Sequence, residues 1–206
     1  MGGRSMTQNT RFDPAVLGSG AQREDRRVAL DVMAAALAAV EPGEAVRRHV
    51  HRQGSVLDVD GQRYDLDSYR RILVVGAGKA SAAMAAALEG LLGERISAGV
   101  VNVKDGYTLP LARVRLQEAG HPLPDARGLE GTEAILRLLQ DLREDDLVLA
   151  LLSGGGSALL TAPVEGVSLA DLQETTDRLL CCGAVSYTHL RAHETPEHLV
   201  CRLLLE

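Results

Sequence analysis

The chain has 206 residues, 46% of them hydrophobic, which is enough apolar matter for one or two packed domains. Its 22 Lys and Arg against 28 Asp and Glu leave a formal charge of −6, which excludes a basic surface built to recruit nucleic acid or an anionic membrane. Four Tyr, one Phe and no Trp leave a core of Leu, Val and Ala and exclude a base-stacking platform for single strands.

Residues 1–20 are polar and aperiodic, as expected of a disordered lead-in, and hold no signal-peptide hydrophobic region. No apolar run reaches the roughly 18–20 residues that cross a bilayer, so a soluble chain without a membrane partner is expected. Over residues 21–40, Val28, Val32, Ala35, Ala36 and Ala39 recur at helical spacing, and the helix should stop before Glu41-Pro42-Gly43. A short helix is expected over 44–51. Residues 55–66 (SVLDVDGQRYDL) alternate around Asp60-Gly61 and read as a β-hairpin.

The rhythm then changes to strand, glycine turn, helix. Residues 71–75 form a nearly continuous apolar run, as in a strand buried on both faces of a parallel sheet, and an Ala-rich helix follows over 80–92. Strands are expected over 98–103 and 114–118, a helix over 129–142, a central strand over 146–152 and a helix over 169–180. This alternation predicts an α/β fold with a doubly wound, mostly parallel, Rossmann-like sheet. Ligands should then bind beyond the carboxyl ends of its strands.

Two glycine-rich turns fall at such ends. In Gly76-Ala77-Gly78-Lys79-Ala80-Ser81, two glycines allow close backbone approach, the helix start offers N–H groups to an anion, and Lys79 adds a charge. The plainer reading is a tight turn with a solvated lysine. Ser81 stands where the dinucleotide fingerprint needs a third glycine, which disfavours NAD, and the spacing is not that of a P-loop. Ser153-Gly154-Gly155-Gly156-Ser157 directly follows an apolar strand, where a glycine run suggests a nest of N–H groups for phosphate; a flexible linker is the alternative. No Gly-x-Ser-x-Gly is present to make either serine a hydrolase nucleophile.

In Glu118-Ala119-Gly120-His121-Pro122-Leu123-Pro124-Asp125, two prolines stiffen a loop carrying His121 and Asp125. His121 could orient a substrate hydroxyl, act as a base, or cap a turn. Lys104-Asp105-Gly106-Tyr107 ends another strand and either lines the same cleft or is a plain turn.

Four segments in this order, RILVVGAGKASAAMA, AGVVNVKDGY, EAGHPLPDARG and LALLSGGGSALLTAP, resemble the N-terminal part of the glycerate 2-kinase family with a MOFRL C-terminal domain. Members of that family are sometimes labelled hydroxypyruvate reductases. The resemblance covers about residues 26–183. It implies a cytoplasmic enzyme that phosphorylates D-glycerate to 2-phosphoglycerate with ATP and Mg²⁺, in a cleft between a Rossmann-like domain and the MOFRL domain. On the matching positions Lys79 would neutralise charge at the transferring phosphoryl group. Gly76, Gly78 and the loop of Ser153, Gly154, Gly155, Gly156 and Ser157 would hold the nucleotide, and His121 and Asp125 would face the cleft. A homodimer of the full-length protein is a further expectation. Lys104 is a weaker match, because the run 103–107 departs from the Thr-Lys-Tyr-Gly-His-like pattern. The alternatives are an NAD(P)H-dependent hydroxypyruvate reductase and a non-catalytic phosphate-ligand binding module.

After Gly183 the resemblance stops. Residues 185–195 (VSYTHLRAHET) and 199–206 (LVCRLLLE) resemble a translated sequencing adapter, so residues 185–206 are expected to be a non-native read-through tail. Residues 21–184 are then an incomplete N-terminal Rossmann-like domain, the sheet is truncated before completion, and the MOFRL domain is absent. Such a chain is expected to be inactive and poorly soluble. His193, Glu194 and His198 leave with the tail, so no metal site is expected. Cys181 and Cys182, adjacent in sequence, suit neither a disulfide nor zinc and fit a reducing compartment.

Overall fold

The structure, a computed structural model, describes residues 23–183; the lead-in of residues 1–20 and the tail of 185–206 lie outside the described residues. Helix α1 (Arg23–Ala39) forms where the periodicity places it. Its apolar face is not covered, however, and Val28, Val32, Met33 and Leu37 are each more than half exposed. Helix α2 (Pro42–His49) starts earlier than the spacing suggests, because Glu41 caps it by accepting the Glu44 N–H at 2.6 Å and Pro42 takes a first-turn position where no N–H is needed. Arg47 and Arg48 occupy its last turn, where cations offset the helix dipole.

Strands β1 (Val50–Gln53), β2 (Val56–Val59) and β3 (Gln62–Asp65) form a small antiparallel sheet in that order. The Asp60-Gly61 hairpin is β2–β3; β1 is an additional strand, its pattern too short and too polar to stand out.

The main sheet is parallel, in the order β6-β5-β4-β7. Strand β4 (Arg71–Ala77) is buried from Ile72 onward, as its apolar run requires. Helix α3 (Ser81–Leu92) packs Ala82, Ala85, Leu88 and Leu92 into the core, the two alanines letting helix and sheet approach closely. Strand β5 (Ile96–Lys104) contributes Ile96, Val101 and Val103, and β6 (Val114–Ala119) contributes Val114. The start of β6 is fixed from α3: the Glu89 carboxylate accepts the N–H groups of Ala112, Arg113 and Val114 at 2.6, 3.0 and 3.1 Å.

Helix α4 (Ala126–Leu138) begins and ends earlier than its apolar spacing implies, because Asp125 caps it by accepting the Gly128 N–H at 2.9 Å. Strand β7 (Asp146–Leu152) has the expected bounds, but it is an edge strand: among the described residues it pairs with β4 alone, and Leu152 is 64% exposed. The expectation of a central position fails because no described residue supplies its outer neighbour. Helices α5 (Gly156–Leu159) and α6 (Leu169–Cys181) follow, the latter entered through a capping box of Ser168 and Asp171. At the amino ends of β4 and β7, the shielded Asp146 carboxylate takes Arg70 at 2.7 Å and Arg71 at 2.6 Å. No described helix is long and apolar enough to cross a membrane.

Candidate active site

The strand order has a consequence for ligand binding. The chain moves outward from β4 through β5 to β6, then returns to the other side of β4 as β7. The carboxyl ends of β4 and β7 therefore flank a topological switch point, the position where parallel α/β sheets open a crevice. Both glycine-rich turns leave the sheet there.

The two turns are packed against each other. A Cβ on Gly76 would stand 2.3 Å from the Leu151 carbonyl oxygen, and one on Gly78 would stand 2.0 Å from Ser153 Oγ. What these glycines admit is the β7 backbone at Leu151 and the Ser153 residue that follows the strand. The Lys79 N–H donates to Gly154 O at 3.0 Å and the Ala80 N–H to Ser153 Oγ at 3.1 Å, so the two N–H groups just before α3 are taken by the β7 loop. Ser81 Oγ donates to Leu151 O at 3.1 Å and lies 3.0 Å from Ser153 Oγ. Ser153 is fully engaged, since its own N–H donates to Ala77 O and its carbonyl accepts the Gly156 N–H.

The rest of the loop is open. Among the described residues the N–H groups of Gly154, Gly155 and Ser157 have no protein acceptor, and Gly154 and Ser157 are exposed. Gly155 has φ +95°, a conformation that suits glycine and turns the loop toward α5. Successive N–H groups in such a turn form a concavity with partial positive charge, suited to an oxyanion.

His121 and Lys79 converge on this loop from two other elements. The site of a Cβ on Gly155 lies 3.0 Å from His121 Cδ2 and Nε2 and 3.3 Å from Lys79 Cγ. Burial, then the charges of Lys79 and Lys104, holds the His121 imidazole below its ordinary pKa, so the ring is neutral at neutral pH. Asp125 takes a different place. Its Oδ1 accepts the Gly128 N–H and its Oδ2 accepts Arg127 Nε at 2.8 Å. Burial alone would raise its pKa, but the N–H of Gly128, Arg127 and the N–H of Gly120 outweigh that and lower it. Arg127 also grips Asp105 with both terminal nitrogens, at 2.6 and 2.8 Å, and its hydrogen bonds lower the Asp105 pKa. A separate apolar groove lined by Val40, Pro42, Leu57, Met84 and Leu149 includes none of these groups.

A family model described as a domain of unknown function, DUF4147, matches residues 28–187. This chain belongs to the DUF4147 family. It is 39% identical over 159 residues to the glycerate 2-kinase of Pyrococcus horikoshii, covering 77% of this chain and 35% of that protein. It is 47% identical over 114 residues to a putative hydroxypyruvate reductase of Agrobacterium vitis, covering 55% of this chain and 30% of the other. The crystal structure of a glycerate kinase from Thermotoga maritima superposes with a TM-score of 0.63 at 35% identity, covering 80% of this chain and 37% of that one. The mixed α/β fold with its parallel sheet flanked by helices is thus shared with glycerate kinase structures. The chain spans about a third of the length of these relatives.

Three features of this DUF4147 chain were not legible as site elements in its sequence. Arg127 gives no local motif, because its two partners lie on a different loop and at a helix cap. The Ser81–Ser153 contact joins distant positions, and only the co-occurrence of two serines beside glycine turns hinted at it. Asn102, fully buried in β5, donates through Nδ2 to Leu159 O at 2.8 Å and Gly128 O at 3.2 Å, tying α4 and α5 beneath the loop. Among the described residues no group of three or more His, Cys, Asp or Glu side chains could hold a metal ion, and Asp105 and Asp125 are both committed to Arg127. The open N–H groups beside Lys79 are a donor set suited to an oxyanion such as phosphate.

Proposed function

We propose that this chain carries the phosphate-cradling part of a site for ATP-dependent phosphorylation of D-glycerate to 2-phosphoglycerate. The observation that supports it most is the set of unengaged N–H groups on Gly154, Gly155 and Ser157, with Lys79 and His121 beside them. Phosphoryl transfer asks for positioning and for stabilisation of charge on the equatorial oxygens more than for covalent participation. Fixed N–H groups supply the first and Lys79 adds to the second. Neutral His121 accepts a hydrogen bond from the substrate hydroxyl, orienting its oxygen toward the cradle. Gly76, Gly78 and Ser153 hold the loop rather than the ligand. Asp125 acts through the α4 cap and Arg127. The relatives named glycerate 2-kinase and glycerate kinase support the choice of substrate.

The reductase reading has less support, because two N–H groups of the glycine turn that would face a dinucleotide pyrophosphate, those of Lys79 and Ala80, are taken by Gly154 O and Ser153 Oγ. Calorimetric titration of the 206-residue chain should show saturable ATP binding and none for NADH. A chain of the relatives' full length should convert D-glycerate and ATP to a 2-phosphoglycerate signal in ³¹P NMR. NADH oxidation by hydroxypyruvate with no phosphoglycerate formed would overturn the proposal.

A further inference from the structure

We infer that Lys104 binds the carboxylate of the acceptor substrate and so selects hydroxy acids over neutral polyols, an inference that rests on the phosphotransfer reading above. Lys104 ends β5 and is in register with Ala119 at the end of β6, two residues before His121. It is half-buried, and its charge reaches the His121 ring together with that of Lys79. Its Nζ sits 5.5 Å from the centre of the Tyr107 ring, a contact that holds a cation without neutralising it.

No described carboxylate forms an ion pair with Lys104, although three lie nearby in the chain and fold. Asp105 is gripped by both terminal nitrogens of Arg127, Asp125 is bound by Arg127 and the α4 cap, and Glu118 Oε1 accepts the Gly106 N–H at 2.7 Å. Arg127 thus engages Asp105 and Asp125 in ion pairs, and Lys104 acts on Asp105 through its charge alone. Among the described residues Lys79 and Lys104 form no ion pair, the charges of both bear on His121, and the proposed reaction brings two anionic groups, a phosphoryl chain and a substrate carboxylate. Lys79 lies against Gly155 in the N–H cradle and so belongs to the phosphate. Lys104, at the end of β5 between the strands that lead to Lys79 and to His121, is left for the carboxylate, with the substrate hydroxyl at His121. A compact ammonium suits a point-charge contact of this kind.

The test is amide and side-chain NMR of the 206-residue chain titrated with D-glycerate, glycerol and inorganic phosphate. In the wild type, D-glycerate should shift resonances of residues 104–107 and His121, and glycerol should shift neither. Lys104→Gln should weaken D-glycerate by about tenfold or more, the scale of a lost charge-assisted hydrogen bond, while phosphate still shifts Gly154 to Ser157 as before. Lys104→Arg, which keeps the charge, should restore most of the glycerate affinity. Unchanged glycerate binding by Lys104→Gln would overturn the inference, as would wild-type binding of phosphate without glycerate; in both cases the phosphate cradle would stand. Binding of neither probe by the wild type would remove the phosphotransfer reading and this inference with it.

Discussion

Gly155 and His121 are in direct apposition: a Cβ on Gly155 would stand 3.0 Å from both Cδ2 and Nε2 of the imidazole. The contact joins the loop after β7 to the loop after β6, and it exists only because residue 155 has no side chain.

Replacing Gly155 by alanine acts twice. The backbone at φ +95° becomes strained at a cost of about 1–3 kcal/mol, and the methyl group displaces His121 and Lys79. Urea denaturation should show a loss of that order, and phosphate affinity should fall further than the stability change explains.

The His121 titration reports the two lysines. Burial first, then Lys79 and Lys104, sets its pKa below the ordinary 6.5. The folded value lies below the unfolded one, so between the two the unfolded chain binds more protons. Stability therefore rises with pH through that window and is lost as pH falls through the folded value. Following the ring protons by NMR, Lys79→Gln should move the His121 midpoint upward. An unmoved midpoint would place Lys79 outside the site.

Asp146 sets the acid limit of the sheet. Hydrogen bonds from Arg71 lower its pKa well below 3.8, against the opposing effect of burial, with the Arg143 N–H and Arg70 adding to the lowering. A depressed carboxylate contributes stability above its unfolded pKa and loses it as pH falls through the folded one. Asp146→Asn should melt at lower temperature than wild type at pH 7, and the difference should narrow as the pH is lowered below 4.

The close approach of β4 and β7 gives a test of the scaffold alone. In Gly76→Ala the new methyl meets the Leu151 carbonyl oxygen at 2.3 Å, and a backbone oxygen in a paired strand cannot yield as a flexible side chain would. Chemical denaturation should show a loss of about 1–3 kcal/mol or more.

Much of the fold was written locally. The apolar runs of β4 and β7 gave strands with nearly the observed bounds; in β4 this follows from burial in a parallel sheet, which demands a continuously apolar strand, whereas β7 carries the same run at the exposed edge. Helix starts were harder. Glu41 and Asp125 fix α2 and α4 through side-chain caps, which hydrophobic spacing does not record. The site was half legible: glycine runs and a proline-stiffened histidine loop mark where chemistry can lie. They do not reveal that Gly76 packs against the Leu151 carbonyl and Gly78 against Ser153, nor that Asp125 pairs with Arg127, since these facts depend on which elements the strand order makes neighbours.

The cradle itself is tested most directly by an ¹H–¹⁵N titration of the chain with ATP, with Lys79→Gln as the paired variant. Saturable shifts largest at Gly154, Gly155 and Ser157, weakened about tenfold by the substitution, are the expected result. Shifts centred elsewhere, or none at millimolar ATP, would contradict the assignment of the β7 loop as the phosphate site.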